Sequence, residues 1–309
     1  MATILMTGGA GFIPGAMAAR LAQRADDTVV CVDNLITGSM RKVPVSVYKN
    51  IHFAKCDVND FNDIAGVFAR WQFDYVFHYA ALVGVQRTLA NPTQVLRDID
   101  GIRNILNLSK YGGVKRVFYS SSSEVYGEPV QIPQNEHTTP LNSRLPYAIV
   151  KNVGEAFLRS YQAEHNLNFT IFRFFNTYGP MQSEDFVMSK FIRAALKNED
   201  ITIYGDGTQS RTFCYIDDNT EACYTIFANN LHVNDVINIG SEVETSISEL
   251  AQVVIRLTGS SSRIAHLPPL AEGDMTRRKP DITKMKAVLQ KPLTDIEQGI
   301  EQVLKAWRA

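Results

Sequence analysis

The sequence of 309 residues predicts an α/β fold: a doubly wound parallel sheet accompanied by a smaller α/β domain. Three observations support this prediction. Short apolar runs alternate with longer amphipathic stretches, which is the pattern of a parallel sheet covered by helices on both faces. A Gly-rich turn directly follows the first of these runs. After residue 176 the spacing of Gly and Pro becomes irregular, which indicates a second domain.

The first half of the chain supplies the alternating strands and helices of the sheet. Five runs are predicted as strands because they are short and almost continuously apolar: Thr3–Met6, Thr28–Val32, Ile51–Ala54, Tyr75–His78 and Arg116–Ser120. Amphipathic stretches are predicted as helices: Gly15–Arg24, Asp60–Trp71, Thr93–Lys110 and Tyr147–Glu164. A further strand is predicted at Thr170–Phe174, and these segments define a first domain over residues 1–176.

Residues 177–309 are predicted to form most of the smaller domain, at the carboxyl ends of the strands, where doubly wound folds bind ligands. A Tyr-Gly-Asp-Gly turn lies at Tyr204–Gly207, and a segment with Pro and Arg residues lies at His266–Pro280. Ser246 and Glu249 form the capping-box pattern of a helix over Ser246–Leu257. We expect the chain to return to the first domain near residues 213–240, because Val236–Ile239 has the character of one more strand.

The composition argues against several classes of protein. Lys and Arg total 31 against 32 Asp and Glu, so the net charge of −1 leaves no excess positive charge for a nucleic acid partner. No apolar run approaches the roughly 18 residues that span a bilayer, and the N-terminus lacks the basic region of a secretory signal. The four cysteines show neither CxxC pairs nor histidines at metal-ligand spacing. We therefore expect a cytoplasmic protein with reduced cysteines, no metal and no membrane partner.

The Gly-rich turn from Thr7 to Gly11 follows the first strand and opens a helix, an arrangement that places backbone N–H groups against a pyrophosphate. Asp33 ends the second strand, 22 residues after Gly11, where a carboxylate accepts hydrogen bonds from an adenosine ribose. A 2′-phosphate would be repelled by that charge, so the sequence favours NAD over NADP. Asp57 and Val58 follow the third strand and suit the adenine edge, although Asp57 is equally suited to cap a helix.

Tyr147 and Lys151 stand four residues apart at the head of a predicted helix, so both project from one face. A nearby ammonium favours the phenolate form of a tyrosine, which can then take a proton from a sugar hydroxyl. The serine run Ser120–Ser123 follows the fifth strand at the same edge of the sheet and offers a hydroxyl to the reacting oxygen. Together with the Gly turn and Asp33, these residues predict a Rossmann-type dehydrogenase site.

Over nearly its full length, the chain resembles the extended short-chain dehydrogenases/reductases of the nucleotide-sugar epimerase/dehydratase family. The resemblance rests on these segments: Thr7–Ile13, Asp33-Asn34, His78–Ala81, Ser122–Gly127, Tyr147–Lys151, Arg173–Pro180, Ile203–Asp218 and Arg278–Asp281. It implies NAD as the cofactor, a nucleotide-diphosphate sugar (a UDP-sugar above all) as the substrate, and a homodimer joined through Thr93–Lys110 and Tyr147–Glu164.

The resemblance also implies roles for individual residues. Ser122 would be the catalytic serine, Tyr147 the base and Lys151 the residue that holds the nicotinamide ribose, with Glu124 as a further catalytic residue. The cofactor would be bound by Gly8, Gly11, Phe12, Ile13, Asp33, Asn34, Gly38, Asp57, Val58, Tyr79, Ala80, Ala81, Asp98, Tyr147 and Lys151. The substrate would be bound by Ser123, Arg144, Asn176, Tyr204, Arg211 and Arg278, the last two offering forked donors to the diphosphate.

Two residues depart from the family pattern. Pro14 stands where a third glycine is expected, and we predict a slightly displaced first helix and a changed cofactor affinity. Asp98 stands where the family usually carries Asn near the nicotinamide ribose, so a carboxylate would lie close to other acids.

Glu124 bears on the reaction. Simple 4-epimerases usually have a small or neutral residue at this position. Enzymes resembling UDP-glucuronate decarboxylase have three features that this chain shares: the Ser-Glu-Val-Tyr-Gly string, an Arg at the position of Arg144 and an Arg-Lys-Pro segment like Arg278–Pro280. An Arg near C6 would bind a uronate carboxylate, although Arg144 is equally consistent with a surface residue before a helix. Decarboxylation is therefore favoured. A UDP-hexose 4-epimerase, an NDP-sugar dehydratase and an NAD-binding sensor without turnover remain alternatives, in that order.

Overall fold

The computed structural model describes residues 1–269 and 277–308. Its strands are, in chain order, β1 (Thr3–Thr7), β2 (Thr28–Asp33), β3 (Ile51–Lys55), β4 (Tyr75–His78), β5 (Arg116–Ser122), β6 (Asn168–Phe174), β7 (Thr177–Tyr178), β8 (Ile201–Tyr204), β9 (Ser210–Thr212), β10 (Cys214–Tyr215), β11 (Asp235–Ile239), β12 (Glu244–Ser246) and β13 (Ile264–Leu267). Its helices are α1 (Phe12–Ala22), α2 (Phe61–Arg70), α3 (Val85–Ala90), α4 (Pro92–Leu96), α5 (Asp98–Tyr111), α6 (Pro146–His165), α7 (Val187–Leu196), α8 (Ile216–Ala228), α9 (Ile247–Thr258), α10 (Thr283–Leu289) and α11 (Ile296–Arg308).

Seven strands form the central sheet in the order β11-β6-β5-β4-β1-β2-β3. The pairs from β3 across to β6 are parallel, with Ile4 beside Tyr75 and Arg116 beside Asn168. The strand order reverses between β1 and β4, and this switch point is where a doubly wound sheet opens a crevice at the carboxyl ends of its strands. The predicted doubly wound α/β fold is confirmed.

The chain divides into two compact units. The first comprises Met1–Val125, Ser143–Phe174 and Thr220–Ile237. Its core consists of apolar side chains on both faces of the sheet. The second comprises Tyr126–Asn142, Phe175–Asn219 and the chain from Asn238 onward, including the short pairs β7–β10, β9–β12 and β8–β13.

These units differ from the predicted boundaries at several points: Phe175 and Asn176 belong to the second unit, the returning segment is Thr220–Ile237, and one internal segment changes unit. Residues 126–142 belong to the second unit, although the sequence pattern grouped them with the first. The reason is a set of main-chain bonds: the Gln134 amide donates to Lys279 O (2.7 Å) and Gln134 O accepts from the Asp281 amide (2.8 Å). In addition, Glu136 Oε1 accepts a hydrogen bond from the amide of Asn238 (2.9 Å).

Capping residues in the sequence mark the ends of two helices. Asp60 caps α2 by accepting from the amides of Asn62 and Asp63, so Asp57 is not the cap of that helix. The capping box of Ser246 and Glu249 is present at α9. The helix predicted over Thr93–Lys110 is present as α4 and α5, with a break at Arg97, whose own backbone is helical (φ −64°, ψ −22°). The Asp98 carboxylate, at the first residue after this break, accepts from the amide of Leu82 (2.8 Å).

Part of the segment His266–Pro280 lies outside the described residues. Through the described ranges, no helix is long and apolar enough to cross a membrane.

Candidate active site

The Gly-rich turn packs tightly against the neighbouring strand ends. Gly8 has φ +69°, and a Cβ there would lie 2.9 Å from the Cα of Ala80. The amide of Gly11 donates to Gly8 O (2.7 Å), which closes the turn immediately before α1. Gly11 caps α1 without a side-chain hydrogen bond, so Phe12 and Ile13 begin the helix with backbone N–H groups suited to an anion.

Pro14 lies in the first turn of α1 and is buried there. The residue at which this helix closely approaches the neighbouring chain is the next one, Gly15. A Cβ at Gly15 would lie 2.3 Å from the carbonyl oxygen of Lys42, in the short turn before β3. A displaced helix and a changed cofactor affinity stay predictions.

Asp33 ends β2 with its carboxylate fixed by main-chain amides. Its Oδ2 accepts from Ala10 (3.1 Å) and its Oδ1 from Leu35 (2.7 Å). Gly38 is pressed against it, because a Cβ at that position would lie 2.6 Å from Asp33 Oδ1. The acid is therefore held rigidly at the carboxyl edge of the sheet.

A pocket opens at this edge within the first unit. Eight of the predicted cofactor-binding residues line it: Gly8, Asp33, Asn34, Asp57, Val58, Ala80, Ala81 and Asp98. Sequence reasoning missed other lining residues, among them Ile36, Asn59, Leu82 and Arg97. The glycine cradle, the uncapped helix start and the fixed Asp33 fit a dinucleotide with a free ribose 2′-hydroxyl.

Tyr79, a predicted cofactor-binding residue, is buried and does not line this pocket. Its ring packs against Phe77 and Phe174, and burial together with the neighbouring Cys223 raises the pKa of its phenol well above its usual range. Its backbone amide, rather than its hydroxyl, is bound to the strand-end residue Thr7 (3.1 Å).

Lys151 lies in α6 with 2% of its surface exposed. Its Nζ donates to Ser120 Oγ (3.3 Å) and lies 5.7 Å from the ring centre of Tyr147. Burial lowers the pKa of Lys151 to about 8, and the carboxylate of Asp98 acts in the opposite direction. The structure thus brings Tyr147, Lys151 and the serine run together, as the spacing predicted.

Ser122 ends β5 and is buried, and its Oγ accepts from the amide of Glu124 (3.1 Å). Glu124 and Tyr147 line one small pocket together with Thr88, Leu89, Leu145 and Pro146. Ser123 is buried beside Ser122, whereas Arg144 is exposed ahead of α6. A carboxylate and a tyrosine in one pocket can both exchange protons with a bound molecule.

In the second unit, a parallel bridge between Ser210 and Arg277 places Arg211 and Arg278 at adjacent positions, and both are buried. Asn176 has φ +20° and donates from Nδ2 to Thr212 O (3.2 Å). Tyr204 ends β8 half-buried. Two buried arginines at such neighbouring positions favour an anionic ligand such as a diphosphate.

The sequence pattern of the NAD dependent epimerase/dehydratase family matches residues 4–240. The chain belongs to this family. It is therefore an enzyme whose cofactor is NAD.

The relatives of this epimerase/dehydratase differ in their reactions. It is 37% identical to a UDP-N-acetyl-alpha-D-glucosaminuronate decarboxylase from Bacillus cytotoxicus, over 98% of this chain and 97% of the relative. It is 34% identical to a putative UDP-glucose 4-epimerase from Methanocaldococcus jannaschii, over 97% of both chains. Its fold matches a UDP-glucose 4-epimerase from Thermotoga maritima crystallised with UDP-glucose, with a TM-score of 0.92, 30% identity and coverage of 99% and 98%.

The sequence analysis did not predict two buried contacts of this epimerase/dehydratase. The Arg173 guanidinium binds both oxygens of Glu155 (2.9 and 2.7 Å), and Ser121 Oγ donates to the same carboxylate (2.6 Å). This group holds β5 at Ser121, the residue before Ser122. A usable signal was present, because Glu155 follows Lys151 by four residues and so shares its helix face.

Proposed function

We propose that this enzyme decarboxylates a UDP-linked uronic acid through a transient 4-keto sugar. The observation that carries the proposal is the small pocket in which Glu124 lies with Tyr147. A 4-epimerase needs one group to exchange the O4 proton, whereas a decarboxylase must also deliver a proton to C5. The similarity to a uronate decarboxylase over nearly the whole chain supports the same conclusion.

Each step of the proposed reaction is assigned to a particular residue. Tyr147, beside the ammonium of Lys151, takes the proton of the O4 hydroxyl as C4 is oxidised. Ser122 holds that oxygen, since its Oγ already accepts from the Glu124 amide and its proton is left for the substrate. NAD, when bound, accepts the hydride from C4 and later returns it.

The 4-keto group makes the C6 carboxylate a β-keto acid. The C5–C6 bond then breaks, CO₂ leaves, and its electron pair remains on C5 as an enolate. Glu124 passes a proton taken up from water to C5, and Tyr147 returns its proton to O4 as C4 is reduced, so the product is a UDP-linked pentose or its amino-sugar counterpart. By the family resemblance, Arg211 and Arg278 are assigned to the diphosphate, and Asn176, Tyr204 and Ser123 are assigned to the substrate. Arg144 is assigned to the uronate carboxylate.

A 4-epimerase is the second candidate. It is favoured by the structural likeness to a UDP-glucose 4-epimerase at a TM-score of 0.92. This reaction inverts C4 and keeps C6, so it requires Tyr147 and leaves Glu124 without a chemical role.

Incubation of the enzyme with UDP-glucuronate, UDP-N-acetylglucosaminuronate and UDP-glucose, followed by NMR of the products, separates the candidates. We expect CO₂ release from one or both uronates and no C4 inversion of UDP-glucose. Inversion of UDP-glucose without CO₂ release from either uronate would replace the decarboxylase proposal by the epimerase.

Variants of Glu124 sharpen the comparison. Glu124→Gln should lower the rate of CO₂ release at least ~10²-fold, because general acid–base groups contribute about that much. Glu128→Gln, an exposed change four residues later, serves as the control and should keep the rate. Full CO₂ release by Glu124→Gln would remove this residue from the reaction.

We further propose a cytoplasmic homodimer that uses the face of α4, α5 and α6. Leu96, Tyr111 and Ile149 expose large apolar side chains on these helices (43%, 83% and 41%). Light scattering on the purified enzyme should give twice the chain mass of 34.5 kDa, and Ile149→Glu should shift it toward one chain. A single-chain mass for the unmodified enzyme would exclude the dimer.

A further inference from the structure

Tyr119, in the middle of β5, is a buried aromatic residue that the proposed reaction does not use. Its ring stacks on the ring of His78, its neighbour on β4, with the ring centres 5.9 Å apart and the planes at 26°. Its phenol reaches α6 at a glycine, since a Cβ at Gly154 would lie 2.2 Å from Tyr119 Oη. The ring is therefore held between β4 and α6, and a side chain at position 154 would leave no room for it.

The ammonium of Lys151 lies over this ring. Its Nζ is 5.0 Å from the ring centre of Tyr119, within the roughly 6 Å at which an aromatic face attracts a cation. The ring of Tyr147, on the same helix as Lys151, is farther away at 5.7 Å, and Ser120 Oγ accepts from Nζ at 3.3 Å. Throughout the described part of the chain, the direct contacts of this ammonium are these neutral groups. Because Lys151 is buried, the aromatic faces replace part of the solvation that water would give its charge.

The hydroxyl of Tyr119 takes no part in this contact. Its oxygen is buried and has no hydrogen-bond partner among the described residues. Burial raises the pKa of the phenol well above its usual range, so the side chain is uncharged. A buried hydroxyl without a partner costs free energy, so the useful part of this side chain is the ring face that it offers to Lys151.

Three further titratable groups belong to the elements around Lys151. His78 is neutral, because burial lowers its pKa to about 3. Glu155, one turn along α6, is bound through both oxygens by a buried arginine. Burial lowers the pKa of Lys151 to about 8, and the carboxylate of Asp98, at the start of α5, acts in the opposite direction. All three groups are present in every variant of residue 119, so such variants isolate the contribution of the ring.

We propose that Tyr119 is a positioning residue that acts through Lys151. Its ring face holds the buried ammonium beside Tyr147 and favours the charged form. The inference rests on the proposed roles of Tyr147 and Lys151 in proton transfer, and it does not depend on the identity of the sugar. A strand residue thus stabilises the charge of the helix residue on which the proposed base depends.

The test follows the titration of Lys151 by NMR, in enzyme labelled with ¹³C at the ε-carbon of lysine, loaded with NAD and free of nucleotide sugar. The signal of Lys151 is the one that is absent from Lys151→Met. Tyr119→Leu should lower the midpoint of this titration by about 0.5 to 1.5 pH units, because the ammonium loses an aromatic face. Tyr119→Phe keeps that face and lacks only the unpartnered hydroxyl, so it should titrate like the unmodified enzyme.

Phe118→Leu is the control for the loss of a ring from the same strand. Phe118 is fully buried, and its ring stacks on Phe77 of β4 (4.4 Å), on the opposite face of the sheet from Tyr119. This variant should lose stability to a similar extent and leave the Lys151 midpoint in place. If Tyr119→Leu does not fold, Tyr119→Met, whose flexible side chain adapts to irregular space, carries the same test.

A midpoint that stays in place or rises in Tyr119→Leu, or an equal decrease in Phe118→Leu or Tyr119→Phe, would overturn the proposal. Because no sugar takes part, the titration is independent of the proposed reaction. If no uronate is decarboxylated while Tyr119→Leu lowers the midpoint, the proposed function fails and the role of Tyr119 stands. In an active enzyme, we also expect the alkaline limb of the kcat profile to move to lower pH by the same amount in Tyr119→Leu and to stay in place in Tyr119→Phe.

Discussion

The hydroxyl of Thr7, at the end of β1, lies 2.9 Å from Nδ1 of His78 at the end of β4. The same oxygen accepts the amides of Tyr79 and Ala80, both at 3.1 Å, so its own proton points to His78. His78 must therefore present an unprotonated Nδ1, in agreement with a pKa lowered to about 3 by burial and the charge of Lys151. One hydroxyl joins the Gly-rich turn to the strand end that borders the cofactor pocket.

Thr7→Val should destabilise the enzyme by about 2 kcal/mol or more, because two buried groups and one partly buried amide lose their shared partner. It should also lower the NAD content, since Ala80 lines the pocket. Urea unfolding and cofactor release measure the two effects. Thr3→Val, on the same strand and only half-buried, is the control and should change stability little. Equal unfolding midpoints for Thr7→Val and the unmodified enzyme would contradict this assignment.

Acid should destabilise the fold through His78. Between pH 6.5 and about 3 this side chain is neutral in the folded enzyme and protonated in the unfolded chain. The unfolded chain then binds one more proton, so stability decreases as the pH falls across this window, by up to about 1.4 kcal/mol per pH unit. Urea midpoints over the range should fall less steeply in His78→Gln. The exposed His52→Gln should keep the slope of the unmodified enzyme.

Substitution of two helical glycines by alanine should change the stability of the enzyme in opposite directions. Gly15→Ala places a Cβ against the main-chain oxygen of Lys42, which cannot move without shifting its turn, so we expect a loss of about 1 to 3 kcal/mol and a lower NAD content. Gly66→Ala in α2 meets no atom within 4 Å and should stabilise by about 0.5 to 1 kcal/mol. Thermal unfolding compares them, and a stabilised Gly15→Ala would show that the helix has room at Lys42.

Glu155→Gln should cost about 3 to 5 kcal/mol, because it leaves the buried Arg173 without a full counter-charge. The matched change is Asp100→Asn, whose partner Arg103 is 57% exposed, and which should cost less than about 1 kcal/mol. Urea unfolding of the two variants measures the difference. Similar small losses in both would mean that the buried pair contributes nothing beyond a surface pair.

Arg278→Lys and Arg211→Lys should each weaken binding of the nucleotide sugar about tenfold, because lysine lacks the forked donors that a diphosphate matches. Arg277→Lys provides the neighbouring control, since Arg277 is ion-paired with Glu244. Calorimetric titration with UDP gives the affinities. A loss in Arg277→Lys as large as in Arg278→Lys would remove the distinction between the two positions.

Much of this enzyme could be predicted from local sequence. Hydrophobic periodicity located the strands, and the capping box of Ser246 with Glu249 located a helix start. The Gly turn with Asp33, and the pair Tyr147 and Lys151, predicted a cofactor pocket and a group of proton-transfer residues that lie in one unit of the structure. These signals are readable because each depends on residues close together along the chain.

Tertiary structure decided the contacts between distant segments. The bond from Thr7 to His78 spans 71 residues and exists because β1 pairs with β4, a neighbour relation that local periodicity does not carry. The adjacency of Arg211 and Arg278 follows from one bridge between Ser210 and Arg277. Likewise, the sequence by itself established that a carboxylate occupies position 98, and only the packing of the β3 and β4 loops onto α5 determined that it binds the Leu82 amide and Asn59.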